Sequence, residues 1–87
     1  MSQEQSRKKS PPRSPEIQTW LVARVAKLLE IDGAQIDVDA PMDEFGLDSA
    51  AVVGLTGDLE DWLERDVSPV VAYRYPTIHR LADHLAK

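Results

Sequence analysis

Apolar residues recur at helical spacing in two long stretches of this chain and in two short ones near its end. In the first, Ile17, Leu21, Val25 and Leu28 return every three or four residues, with Val22 and Leu29 widening the stripe. That period predicts an amphipathic helix. Ser14-Pro15-Glu16 reads as its start, with Ser at the N-cap, Pro at the first position and an acid in the first turn. Gly33 suits a C-terminal cap. Trp20 lies off the centre of the stripe, at a half-exposed position. The second long pattern begins at Ser49 and runs to about Glu64. Projected at about 100° per residue, Val52, Leu55, Leu59 and Leu63 share one face, with Thr56 and Trp62 at its edges. The opposite face carries Ala50, Val53, Gly57, Glu60, Asp61 and Glu64.

Two short elements come next. Ser68-Pro69 repeats the cap-and-proline signal and predicts a helix over 69–74, which Pro76 ends because the residue before a proline is pushed out of the helical region. Thr77 caps a last helix whose Ile78, Leu81, Ala82 and Leu85 face inward. Between the two long helices, residues 33–47 read as a long loop. Ile36-Asp37-Val38-Asp39 alternates, but the run is short and lacks a partner strand, so Ile36 is expected to point inward from a loop. A connection of this length in a small domain is often functional. The order is long helix, loop, helix, short helix, helix: an all-α, four-helix bundle with a short third helix.

Composition narrows this reading. The 87 residues make one domain with one small core. Cysteine is absent, which excludes disulfides and thiolate metal sites. No apolar run approaches the ~18 residues of a membrane helix, and the charged N-terminus lacks the apolar segment of a secretory signal. A cytoplasmic protein is the expectation. The net charge of −5 conceals an asymmetry: residues 1–13 hold four bases against Glu4, whereas residues 14–87 hold six bases and fourteen acids. Residues 1–14, rich in Ser, Pro, Gln and Lys/Arg, are expected to form a disordered basic head or linker, with the folded domain over 15–87. The acidic body should repel nucleic acid and attract basic protein surfaces.

Candidate chemistry converges on Ser49. The stretch Phe45-Gly46-Leu47-Asp48-Ser49-Ala50 lies just after Asp43 and Glu44 and opens the second helix. Serine at a helix N-cap is exposed and held in place, and the free N–H groups and dipole there favour an anion. Gly46 supplies backbone freedom before the site, and Phe45 and Leu47 are expected to anchor the loop to the core. A hydrolytic serine using His79 or His84 would need the G-x-S-x-G elbow on a parallel sheet, and neither is indicated. Asp37, Asp39, Asp43, Glu44 and Asp48 lack the alternation, mid-loop glycine and closing glutamate of a calcium loop, so no metal site is expected.

The Gly46-Leu47-Asp48-Ser49 motif, leading into an amphipathic acidic helix, resembles the prosthetic-group site of acyl carrier proteins. The segment Val67 to Ala82, with Tyr75-Pro76-Thr77, is similar to the ending of carrier domains from polyketide synthases. The resemblance covers roughly residues 16–86. It implies a non-enzymatic carrier, a substrate of a phosphopantetheinyl transferase, that holds acyl groups as thioesters on 4′-phosphopantetheine attached to Ser49. Coenzyme A would supply the arm. It further implies acyl-loading and polyketide or fatty-acid synthase enzymes with basic docking surfaces as partners, met by Asp48, Ala50, Val53, Glu60 and Glu64. A monomer is expected, and Met1 with its head favours a freestanding one. The family usually has Leu after the serine and an apolar residue two turns on. Here these are Ala50 and Gly57, so the docking face is flatter. Two alternatives stand beside this reading: a peptidyl carrier of a nonribosomal system, which usually reads Gly-Gly-x-Ser, and a small helical adaptor without a prosthetic group.

Overall fold

The computed structural model describes residues 12–87. The basic cluster at Arg7, Lys8 and Lys9 lies outside the described residues. Four helices occur in order: α1 (Ser14–Leu29), α2 (Ser49–Leu63), α3 (Val70–Arg74) and α4 (Ile78–Leu85). The connection between α1 and α2 holds two 3-10 turns, Gly33–Gln35 and Met42–Phe45. The expected long loop is therefore partly ordered by its own hydrogen bonds.

Ser14 belongs to α1 and not to the head. Arg13 is the N-cap residue, and its backbone N–H donates to the Glu16 carboxylate at 3.0 Å. That reciprocal bond does the capping expected of the Ser14 side chain. The Ser14 hydroxyl is free to reach across and donate to the Asp83 carboxylate of α4. At its far end α1 stops at Leu29, four residues before Gly33. Glu30 takes the left-handed conformation with φ 58°. Ile31 N–H then bonds Ala26 C=O at 3.0 Å, and Glu30 N–H bonds Lys27 C=O at 3.3 Å. This is the Schellman pattern, formed without glycine. The smallness of Gly33 serves another end: a Cβ there would meet Val22 Cγ1 at 3.3 Å, so the turn lies close against α1. Helix α2 ends the same way, with Glu64 at φ 57° and Arg65 N–H on Glu60 C=O.

The core is drawn from every helix. Ile17, Leu21 and Val25 of α1, Leu55 and Leu59 of α2, and Ile78, Leu81 and Ala82 of α4 are at most 1 % exposed. Ile36 and Met42 from the connecting segment, Val67 and Ala72 close it. Burying such side chains is worth roughly 1.5–3 kcal/mol each. All four apolar positions expected to face inward on α4 do so, and Thr77 Oγ1 accepts from Arg80 N–H at 3.1 Å, as its capping role requires.

Leu28 departs from expectation, being 48 % exposed. Helices α1 and α2 run antiparallel, because Trp20 stacks on Trp62 at 5.1 Å between centroids and Arg24 pairs with Asp58 at 3.4 Å. Leu28 lies one turn beyond the last of these two contacts. A Cβ at Gly54 would touch nothing within 4 Å. Periodicity puts Leu28 on the apolar stripe, and its side chain nevertheless stays largely in solvent. Thr56 moves the other way, from the edge of the buried face to 1 % exposure, with its hydroxyl donating to Val53 C=O at 2.9 Å.

Candidate functional site

The segment before α2 is stitched to the α3–α4 junction. Met42 N–H donates to Pro76 C=O at 2.8 Å, and His79 N–H donates to Val38 C=O at 2.9 Å. Phe45 and Leu47 pack partly buried against the core, as expected. Between them Gly46 adopts φ 85°, left-handed backbone that a side chain would strain. A Cβ at Gly46 would meet no atom within 4 Å, so this glycine supplies conformation and not close approach.

The N-cap of α2 is Asp48, one residue before the expected position. Its Oδ1 accepts from Ala51 N–H at 2.8 Å, and its carbonyl takes the first helical bond, from Val52. Asp48 is therefore a structural cap as well as an exposed charge. Ser49 becomes the first helical residue. It is exposed, and among the described residues its hydroxyl has no hydrogen-bond partner. The N–H groups of Ser49 and Ala50 precede the first intrahelical bond and stay open. The serine is thus fixed in position by the helix while its oxygen is uncommitted.

Beside Ser49 lies a cavity of about 460 Å³ between α2 and α3. Met42, Leu47, Val52 and Ala72 give it an apolar floor, and Asp43, Ser49 and Tyr73 stand at its rim. The other residues singled out from the sequence divide. Ala50 and Val53 are exposed on the outer face of α2, Val53 at 51 %. Glu64 is exposed, although its backbone also terminates the helix. Glu60 is different: half-buried, its carboxylate accepts from Val67 N–H at 3.0 Å and fixes the turn into α3. A residue expected to meet partners therefore also holds the fold.

Sequence reasoning did not single out α3. Of its five residues only Ala72 is buried, and Val70 and Tyr73 are 56 % and 63 % exposed. A signal was there: four successive apolar residues in a helix too short to bury them all.

The acids of the connecting segment have local duties. Asp32 Oδ1 accepts from Ala34 N–H and Asp37 Oδ1 from Asp39 N–H, closing turns. Asp39 reaches His79 Nδ1 at 2.9 Å, and Asp83 faces His79 Nε2 at 3.5 Å. The hydrogen bond to Asp39 and the charge of Asp83 raise the His79 pKa above its ordinary value, against opposing contributions from desolvation and Arg80. His84 stacks on Tyr75 at 4.2 Å between centroids. Each histidine is occupied in packing or pairing, away from the role of a base for Ser49.

The phosphopantetheine attachment site family matches residues 19–85, most of the chain. The chain belongs to this family of phosphopantetheine-binding carriers. The acyl carrier protein TtuC of Teredinibacter turnerae is 39 % identical over 71 residues, 82 % of each protein. Polyketide synthase PksL of Bacillus subtilis is 32 % identical over a similar stretch, but the chain spans only 2 % of it. Asl1650, an acyl carrier protein from Anabaena with a variant phosphopantetheinylation-site sequence, superposes with a TM-score of 0.82 at 33 % identity, covering 97 % of this chain and 96 % of that one. A free-standing peptidyl carrier protein from Acinetobacter baumannii gives a TM-score of 0.80 at 32 % identity, covering 84 % and 91 %. Carriers of this family are not enzymes; they are loaded by a phosphopantetheinyl transferase and serve synthase partners. The four-helix architecture is theirs, as expected. No helix among the described residues is long and apolar enough to cross a membrane.

The site suits the family's prosthetic group, 4′-phosphopantetheine. A phosphodiester on the Ser49 oxygen would displace no hydrogen bond and would sit by open N–H groups at a helix N-terminus. Apolar space lies alongside for the rest of the arm.

Proposed function

We propose that Ser49 carries the 4′-phosphopantetheine arm and that this chain presents acyl thioesters to polyketide-type synthase enzymes. The observation that carries this reading is the division of labour at the start of α2. Asp48 caps the helix through Ala51, so the Ser49 hydroxyl is exposed and unengaged. The arm supplies a thiol, which this cysteine-free chain lacks. Gly46 sets the path of the segment, Phe45 and Leu47 hold it to the core, and Asp48 fixes where the serine points. The carrier domain takes in the described residues from α1 to α4. It works as a cytoplasmic monomer, and its acidic surface attracts basic enzymes.

Similarity to TtuC and PksL, together with Gly46-Leu47-Asp48-Ser49 in place of a Gly-Gly-x-Ser site, favours an acyl cargo. The likeness to the Acinetobacter baumannii carrier keeps a peptidyl cargo as the second reading. Fatty-acid synthesis shares the same chemistry and ranks below polyketide synthesis on the Tyr75-Pro76-Thr77 ending.

Intact-protein mass spectrometry after incubation with coenzyme A and a broad-specificity transferase tests the assignment. The wild type should gain the mass of one arm, and Ser49→Ala should gain none while keeping its helical circular dichroism. A wild type that stays unmodified with several transferases would make the chain an adaptor without a prosthetic group.

A further inference from the structure

Charge is divided unevenly along this chain. Residues 14–66 hold three bases and thirteen acids, whereas residues 67–87 hold three bases and a single acid, Asp83. That acid is engaged within the bundle, where it accepts from Ser14 and faces His79. Arg80, His84 and Lys87 follow at i, i+4 and i+7, which sets them on one face of α4 and the turn beyond it. Arg80 and Lys87 are exposed, and among the described residues neither has a carboxylate within ion-pair distance. With Asp83 and Tyr75, the three line a cavity of about 210 Å³. The stacked rings of Tyr75 and His84 give it an aromatic wall. From the end of α2, Arg65 brings a further guanidinium to the same end of α4, donating to Leu85 C=O at 2.7 Å.

Helix stability accounts for only part of this stripe. Lys87 lies past the C-terminus of α4, where the helix dipole favours a cation. Arg80 lies in the first turn, three residues after the N-cap Thr77, where the dipole favours an acid. An arginine there, without an acid beside it, works against its own helix. We propose that the stripe is a docking site for an acidic helix of a partner protein. That helix carries carboxylates at i and i+7 and an apolar residue at i+4. The carboxylates meet Arg80 and Lys87, about 10 Å apart at 1.5 Å per residue, and the apolar side chain lies on the aromatic wall. A guanidinium binds a carboxylate through two parallel N–H bonds. Two other anions fit less well. A nucleic-acid backbone would meet the thirteen acids of residues 14–66. A compact phosphate centred in the cavity would face the Asp83 carboxylate. None of the residues lining this cavity borders the one beside Ser49, so the partner holds the chain while that serine stays open. The proposal does not depend on what Ser49 carries.

Amide NMR spectra of the full chain, titrated at low salt with a synthetic alanine-rich helical peptide bearing the Glu-x-x-x-Leu-x-x-Glu pattern, test the stripe. The shifts should centre on Arg80, His84 and Lys87. Arg80→Gln combined with Lys87→Gln should weaken binding by about tenfold, the loss of two exposed ion pairs. Arg74→Gln removes an exposed cation of α3 that does not line the cavity, and it should leave the affinity within about twofold. Added salt should weaken the wild-type complex, and a peptide with Gln in place of Glu should shift nothing. Circular dichroism checks that the double variant is folded; if it is not, Lys87→Gln alone carries the comparison, with about a threefold loss expected. The double variant should gain the mass of the arm from coenzyme A as fast as the wild type. A wild type that shows no shifts with the acidic peptide, or shifts away from α4, overturns the proposal. So does a folded double variant that binds as tightly as the wild type. Inorganic phosphate that produces the same shifts at the same concentration overturns it too, by making the stripe a small-anion site.

Discussion

The two sides of this bundle treat polar and apolar groups in opposite ways. On the α1–α4 side, side chains are paired across elements. Ser14 of α1 donates to Asp83, Asp83 faces His79, His79 meets Asp39 of the connecting segment, and Tyr75 covers His84. On the α2–α3 side, Ser49 has an unengaged hydroxyl, Val53, Val70 and Tyr73 stand in solvent, and the neighbouring acids lie exposed. The first side keeps its interactions within the chain. The second leaves them to solvent. The contrast teaches that the exposed side is supported from behind: Asp48, Gly46 and Glu60 work locally so that Ser49 and α3 need not.

The largest expected effect comes from breaking the support itself. Leu81→Ala, at a fully buried position, should cost ~2–5 kcal/mol, a large share of the stability of so small a domain. Urea unfolding would show it, and Ser49 modification should fall with the folded fraction. Next is Glu60→Lys, which leaves the Val67 N–H without its acceptor. A cost of ~1–3 kcal/mol is expected, against ~0.5 kcal/mol or less for Glu64→Lys on the exposed face. Equal melting temperatures for the two would erase the distinction drawn between those acids. A smaller change, of opposite sign, is expected from Gly54→Ala. The added methyl meets nothing within 4 Å and removes the helix penalty of glycine, so stability should rise by up to ~1 kcal/mol. Helical content and melting temperature would report it.

The smallest effect is pH-dependent. A neutral imidazole has one N–H and can donate to only one of Asp39 and Asp83; the protonated ring donates to both. The folded pKa of His79 is raised above the ordinary 6.5, so folding favours the protonated form. That stabilisation is complete below pH 6.5 and fades as pH climbs through the raised folded value. Because the ring is half exposed, solvent screens the pairs and the effect is modest. Melting temperature should drift down across that window in the wild type and less so in His79→Gln. A flat wild-type profile would remove the pairing from the account of the α1–α4 side.

Much of this organisation is legible in the sequence. The buried stripes of α2 and α4 come from spacing alone, and Thr77 and Pro76 mark the last boundary because their chemistry leaves few other places for them. What the sequence hides depends on neighbours distant in the chain. Asp48 and Ser49 are both good caps, and which one takes Ala51 is a matter of one residue of register. Glu30 terminates α1 in a conformation that residue statistics assign to glycine, so Gly33 was the better signal and the wrong one. Leu28 shares the apolar stripe of α1, yet it is 48 % exposed, because spacing along one helix does not say whether another element covers the position. Glu60 lies at the margin of the outer face, and only the path of the turn beyond α2 shows that its carboxylate is taken. The exposure of Tyr73 depends on how little of a five-residue helix can be buried. The motif singles out Ser49 as the candidate serine, and the structure adds that Asp48 takes the capping bond from Ala51 and leaves the serine exposed.

The chain has two tryptophans, and both are in the stacked pair joining α1 to α2. Its intrinsic emission and any exciton signal in the near-ultraviolet therefore report one distance, far along α2 from its first turn. An optical change that accompanies loading would have to be relayed through the length of that helix. The protein carries its own gauge of whether attaching a cargo disturbs the scaffold or leaves it still.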